Sequence, residues 1–221
     1  MKLVIDSADT AAIRKLCEYY PVDGVTTNPT ILAKAGREPY EVLTEIRSII
    51  GEKDLHVQVV STNAEGMISE AFRIIKALGK NTFIKIPVTF EGVKAIKTLS
   101  EQGIKCTGTA VYTVQQAYMA AHAGAAWIAP YVNRIETLNG DGVGTVIKMQ
   151  DMLDSNGYDT QILGAPFHRT DQITGLAEYG VAAATVNAEL LFELLEDPNV
   201  EGAVKKFNED FEKLCGKNKT M

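Results

Sequence analysis

A chain of 221 residues, 46% hydrophobic and 23% charged, has the make-up of an ordinary globular protein, long enough to bury a core without cross-links. Its formal net charge of -6 argues against nucleic acid or an anionic membrane as the main partner, while a local basic site for a small anion remains open. Three scattered cysteines and three histidines with no H-E-x-x-H spacing argue against a disulfide framework or a zinc site.

The N-terminal MKLVIDSADT holds an apolar run too short for a signal peptide, and no run of 18 apolar residues follows, so the expectation is a cytoplasmic protein with no membrane span. In chain order, short β-type runs alternate with helical ones. LVID (3–6) precedes a helix over 9–20, with Asp9 as its N-cap. GVTTN (24–28) precedes a helix over 38–50, and LHVQVVS (55–61) precedes one over 63–79 that opens on Asn63 and closes on glycine. TFIKIPV (82–88), IKCTGTAV (104–111), WIAPYVN (127–133), TQILGAPF (160–167) and VAAATV (181–186) are followed by helices over 90–103, 113–124, 141–157, 170–180 and 187–198. A last helix over 200–216 follows Pro198, with Val204, Phe207, Phe211 and Leu214 on one face; it either closes the barrel bottom or serves as a subunit-contact arm. Repeated β-α units imply parallel strands, and eight of them match a single-domain (β/α)8 TIM barrel over 1–221, with 199–221 as an extra C-terminal helix. A doubly wound open sheet is the alternative, but no G-x-G-x-x-G follows the first strand.

Residues two apart on a strand share a face. In TFIKIPV, Ile84, Ile86 and Val88 suit the helix ring, so Lys85 points into the barrel. The same alternation turns Asp6, Asn28 with Thr26, Gln58, Thr109 and Tyr131 inward, one set from six successive strands. Taken singly, an inward Thr, Asn or Tyr is ordinary core chemistry. A mid-strand lysine is not, because an unpaired buried ammonium is costly and must pair or lose its proton. A neutral lysine is a nucleophilic amine suited to imine chemistry; a structural pair with Asp6 is the equal alternative from spacing alone.

The blocks IDSADT, GVTTNPT, VQVVST, FIKIPVTFEGVKAIKTL, GTAVYTVQQA and APYVNRIE resemble the small transaldolase family, most of all its fructose-6-phosphate aldolase-like branch, in order from residue 1 to about 165. The resemblance implies a (β/α)8 barrel with class I aldolase chemistry and no metal or organic cofactor. It puts the Schiff-base lysine on Lys85, the first-strand aspartate on Asp6, the asparagine after the Thr-Thr pair on Asn28 and a water-holding threonine on Thr109. Transaldolase-type members carry Glu and Phe where this chain has Gln58 and Tyr131, which favours net aldol cleavage and addition. Arg134 in YVNRIE matches a phosphate contact of the family. The seventh strand departs: APFHRT stands where the family has Ser-Phe-Lys or Ser-Phe-Arg, so Pro166 removes a hydroxyl and Arg169 or His168 must supply the second cation.

The expected roles follow. Lys85 forms the imine, Tyr131 moves protons with a water held by Gln58 and Thr109, and Asp6 and Asn28, with Thr26 beside them, orient the hydroxyls. Arg134, with Arg169 or His168, holds the anionic end of a sugar phosphate or a sulfonated analogue. The competing readings are a transaldolase, and a barrel that binds or isomerises a sugar phosphate without an imine. The resemblance further implies a homo-oligomer, a pentamer or a decamer.

Overall fold

The computed structural model covers all 221 residues. Eight parallel strands close into one barrel in chain order, with the last strand paired to the first. The strands are β1 (Lys2–Asp6), β2 (Gly24–Thr26), β3 (Asp54–Gln58), β4 (Thr82–Pro87), β5 (Cys106–Val111), β6 (Trp127–Pro130), β7 (Gln161–Gly164) and β8 (Ala183–Val186). Around them run α1 (Thr10–Tyr19), α2 (Pro29–Ala35), α3 (Pro39–Ile50), α4 (Ala64–Leu78), α5 (Phe90–Ser100), α6 (Val114–His122), α7 (Val132–Asn139), α8 (Gly142–Ser155), α9 (Thr170–Tyr179), α10 (Ala188–Glu193) and α11 (Pro198–Cys215). The (β/α)8 barrel expected from the strand rhythm is therefore the fold.

Helix starts are written into the sequence. Asp9 accepts from the Ala11 and Ala12 amides, Asn63 from Gly66 and Thr89 from Gly92, and Thr113 with Gln116 forms a reciprocal capping box. Each such cap stabilises its helix by about 1 kcal/mol. Gly92 is needed for a close approach: a Cβ there would lie 1.9 Å from the Pro87 carbonyl oxygen, so α5 presses on the end of the lysine-bearing strand.

Two layers of core separate as alternation requires. Ile5, Val25, Leu55, Val57, Ile84, Ile86, Cys106 and Ile128 lie in the large cluster between strands and helices. Val4, Phe83, Trp127, Leu163 and Ala183 form a smaller cluster inside the barrel. His56 stacks on Phe83 with centroids 4.6 Å apart and pairs with Thr107 Oγ1 at 2.9 Å. Lys2 and Lys105 place their ammonium groups over the Trp127 and Phe83 rings and close the lower end.

Three segments differ from the sequence reading. The second strand stops at Thr26, and Asn28 caps α2, a helix absent from the periodicity because seven residues show too little of a face. The sixth strand stops at Pro130, and the residues after Tyr131 wind into α7, where Val132 and Ile135 are buried one turn apart. The helix expected over 187–198 breaks into α10 and the start of α11. No residue of α11 is buried: Val200, Val204, Phe207 and Leu214 are half or more exposed, so it does not close the barrel bottom. No helix is long and apolar enough to cross a membrane.

Candidate active site

Lys85 occupies the middle of β4, paired in register with Gln58 on one side and Thr107 on the other. Its side chain lies inside the barrel, only 6% exposed, and Nζ donates to the Thr27 carbonyl at 3.0 Å. Burial pushes the amine below the ordinary lysine value, while the Asp6 carboxylate pulls the other way. Asp6 shows the mirror image: burial raises it, and Lys85 and the Thr26 hydroxyl lower it. The Thr26 hydroxyl donates to Asp6 Oδ1 at 2.6 Å and lies 2.6 Å from the Thr185 hydroxyl of β8. Asp6, Thr26, Thr185, Thr27 and Lys85 thus form one polar cluster across β1, β2, β4 and β8. His56, one layer below, is driven well below the usual imidazole range by burial and then by Lys85 and Lys2.

The other inward residues are placed as alternation predicts, except where a strand ends. Gln58 has its Oε1 buried and unpaired, an acceptor with no protein donor. Thr109 is buried near the end of β5. Just beyond it Ala110 adopts φ 57°, and the β5–β6 register shifts between Gly108 and Val111. A left-handed alanine costs about 1–2 kcal/mol, and such strain gathers at functional sites. The shift brings Tyr112 to the rim, where its ring meets the Tyr131 ring edge-on at 5.4 Å. Arg134 donates from Nη1 to the Tyr112 hydroxyl at 3.2 Å, and its guanidinium lies 4.8 Å from the Tyr131 ring centroid. Asn28 spends Oδ1 on the Ile31 amide at 3.0 Å.

At the carboxyl ends of β1, β7 and β8 a cavity of about 790 Å³ opens, lined among others by Asp6, Lys34, Pro166, His168 and Asn187. His168 is exposed at its wall. Arg169 points instead to Glu136, 3.0 Å away, and to Asp171, 2.9 Å away. Gln172 accepts the His168 and Arg169 amides on Oε1 at 3.0 and 3.4 Å and donates to Glu136 at 2.6 Å. Sequence reasoning missed Thr27, Thr185, Tyr112, Glu136 and Gln172. Thr185 was readable, since it shares a face with Ala183 in VAAATV; Thr27 acts through its backbone and leaves no side-chain signal.

A closed barrel with a buried amine on β4, a carboxylate opposed to it and a cavity at the carboxyl ends of its strands has the form of a TIM-barrel enzyme, whose active sites lie at that end. The comparison with known proteins gives the family. The model of the transaldolase/fructose-6-phosphate aldolase family matches residues 3–220, and the chain belongs to that family. It is 39% identical over 214 residues, 97% of this chain and 99% of the other, to a protein of Geotalea daltonii described as a probable transaldolase.

Proposed function

We propose that the protein is a class I aldolase that cleaves or forms a ketose of the fructose 6-phosphate type, with dihydroxyacetone as one product and an anionic aldehyde as the other. The observation that carries this reading is the amine of Lys85, buried and lowered in basicity beside the partly opposing Asp6. Neutral Lys85 attacks the ketone carbon, water leaves, and a protonated imine forms. The C3–C4 bond then breaks as the C4 hydroxyl gives up its proton. Its electron pair moves into the imine, leaving an enamine, and the aldehyde departs. Protonation of the enamine at C3 and addition of water release dihydroxyacetone and restore the amine.

Tyr131 is the group for these proton movements, because a phenol can donate and regain a proton and an amide cannot. Gln58 supports this division: its buried acceptor suits a water or substrate hydroxyl, not acid–base work. Thr109 lies near the end of β5, on the other side of the lysine-bearing β4, and completes the hold on that water. Asp6, tuned by Thr26, orients the hydroxyl next to the amine and assists its deprotonation. Asn28 keeps its two N–H donors for a second hydroxyl. Arg134 holds the aldehyde's anionic end, with His168 and Arg169 on the facing loop. The exposed apolar stripe of α11 fits a contact between copies of the chain, as the homo-oligomer implied by the family requires.

A second reading is transfer of the dihydroxyacetone unit to another aldehyde, favoured by the description of the 39% identical relative. Free dihydroxyacetone, measured with ketose alone and no acceptor, separates the two. Stoichiometric release is expected; none released would overturn the aldolase reading in favour of transfer. Borohydride reduction with dihydroxyacetone, followed by peptide mass mapping, should place the adduct on Lys85, and its absence with every donor would sink both.

A further inference from the structure

The Asp6 carboxylate is reached from two strands at once. β1 lies between β2 and β8, so side chains of those two neighbours can meet in front of it inside the barrel. Thr26 of β2 stands in register with Asp6, and Thr185 of β8 stands in register with Val4, one layer lower. Both threonines are almost wholly buried, and their hydroxyl oxygens lie 2.6 Å apart. Thr26 Oγ1 lies at the same 2.6 Å from Asp6 Oδ1.

Proton counting gives these two bonds a direction. A hydroxyl has one proton to give and two lone pairs to receive, while an ionised carboxylate only receives. Thr26 therefore spends its proton on Asp6, and its second contact forms only if Thr185 donates to Thr26. The result is a relay of two hydroxyls, from β8 through β2 to β1, that ends on one carboxylate oxygen. The bond to Asp6 has the length expected of a hydroxyl on a charged oxygen, about 2.5–2.7 Å. Each link polarises the next, so a donor at the far end strengthens the bond at the carboxylate by about 10–30%. Oδ1 is the oxygen held in this way, and Asp6 itself lines the cavity at the carboxyl ends of β1, β7 and β8.

We propose that Thr185 is a positioning residue for the reaction: by donating to Thr26 it locks Asp6 through Oδ1 and leaves Oδ2 for the amine of Lys85 and the substrate hydroxyl. This rests on the aldolase reading above. Thr185 acts through Thr26 and Asp6 and is not a catalytic residue. Burial raises the Asp6 carboxyl, and Lys85 on β4, with the Thr26 hydroxyl, brings it down. Thr185→Val keeps the branched shape and removes the proton. The Thr26 hydroxyl then loses its own donor and gives a weaker bond to Asp6, whose carboxyl rises further.

The test reads Asp6 directly. Carboxyl-carbon NMR of protein labelled at aspartate, with the Asp6 signal assigned by its absence in Asp6→Asn, follows the titration in the native enzyme and in Thr185→Val. The Asp6 midpoint should rise by about half to one pH unit, the scale of one net hydrogen bond. On the same scale kcat for ketose cleavage should fall about two- to tenfold with KM little changed. Thr185→Ser keeps the hydroxyl and should restore both. An Asp6 midpoint that Thr185→Val leaves in place overturns the inference, and a lowered Tm with that unmoved midpoint assigns Thr185 to packing alone. A loss of activity that Thr185→Ser fails to restore also counts against it. If Thr185→Val does not fold, Thr185→Cys, a weaker donor of similar size, should give an intermediate rise, and no rise refutes the relay. Borohydride trapping of dihydroxyacetone on Lys85 reports the aldolase reading separately. An adduct with an unmoved midpoint sinks the relay alone; no adduct with any donor sinks the aldolase reading, while the midpoint still decides the relay.

Discussion

Replacing Lys85 with methionine separates chemistry from folding. The apolar stem is kept and the amine is lost, so imine formation has no nucleophile and turnover falls to background. Two stability terms oppose one another. The Thr27 carbonyl loses the donor now 3.0 Å away, which costs about 1–3 kcal/mol if that acceptor stays dry. Against this, a buried polar group no longer has to be stripped of water, a gain of about 1–3 kcal/mol. The net change stays within about 2 kcal/mol. At about 2.1 cal/mol/K of unfolding entropy per residue, 221 residues give about 0.46 kcal/mol per degree, so Tm should move by no more than about 4 °C. The pH dependence adds a sign. Burial holds the folded amine below its ordinary value of 10.5, so between the two values the unfolded chain binds more protons. The penalty is fully present below the folded value, and native stability rises with pH across that window. Lys85→Met removes this rising arm. Melts from neutral to alkaline pH, with borohydride trapping on the same samples, check it. A variant that fails to fold, or an adduct that persists on another lysine, would refute the assignment of Lys85 as an amine held for chemistry.

The neighbours give further outcomes. Asp6→Asn removes the charge that supports the ammonium form, so the pH at which trapping is half-maximal should fall; a rise would mean that Asp6 does not act on Lys85. Tyr131→Phe should lower cleavage by about 10²–10⁴-fold, the usual range for a lost acid–base group, while trapping on Lys85 continues. Equal loss of trapping and turnover would place Tyr131 in packing. Arg134→Ala should raise KM for an anionic aldehyde by about tenfold or more and leave a neutral aldehyde nearly as before; equal effects on both would remove it from anion binding.

The part of this site legible in the sequence is the part that a period of two encodes. Lys85 and Asp6 sit on straight strands with aliphatic neighbours, so alternation alone turned them inward. That reasoning loses its grip where strands end, and active sites of barrels lie there. Asn28 was read as a strand residue, yet its side chain caps a helix opened by Pro29. The sixth strand was read through to Asn133, just before Arg134, yet Arg134 rides on α7 because Pro130 ends β6 and Val132 and Ile135 turn to the core. Tyr112 reaches Arg134 only through the shift after Gly108 and the left-handed Ala110, which no pattern of apolar residues announces. Arg169 was counted as a free cation; its two acidic partners come from one neighbour in sequence and one residue 33 positions away, and only the second needed the fold. The α11 stripe was visible as a helix face, but a helix face does not say what covers it.

The lowered basicity of Lys85 has an origin that can be tested away from the reacting groups. No second cation crowds the amine from its own layer; burial is the leading cause, and Asp6 works against it. Water must therefore be kept out from below, and the layer that does so is Phe83, His56 and Trp127, their rings in stacked and edge-on contact. Phe83 is two residues before Lys85 and points the same way. Phe83→Ala would open a hole beside the His56–Thr107 pair, polar enough to hold water. The cavity should cost about 3–5 kcal/mol, or about 6–11 °C in Tm on the scale above. With water beneath it the amine regains its proton more readily, so the pH of half-maximal trapping should rise toward the ordinary lysine range. Phe83→Leu fills most of the space with apolar atoms and should leave that pH near the native one. If both variants keep the native profile, the dry floor of the barrel is not what frees the amine, and its lowered basicity must arise at the carboxyl end of the strands instead.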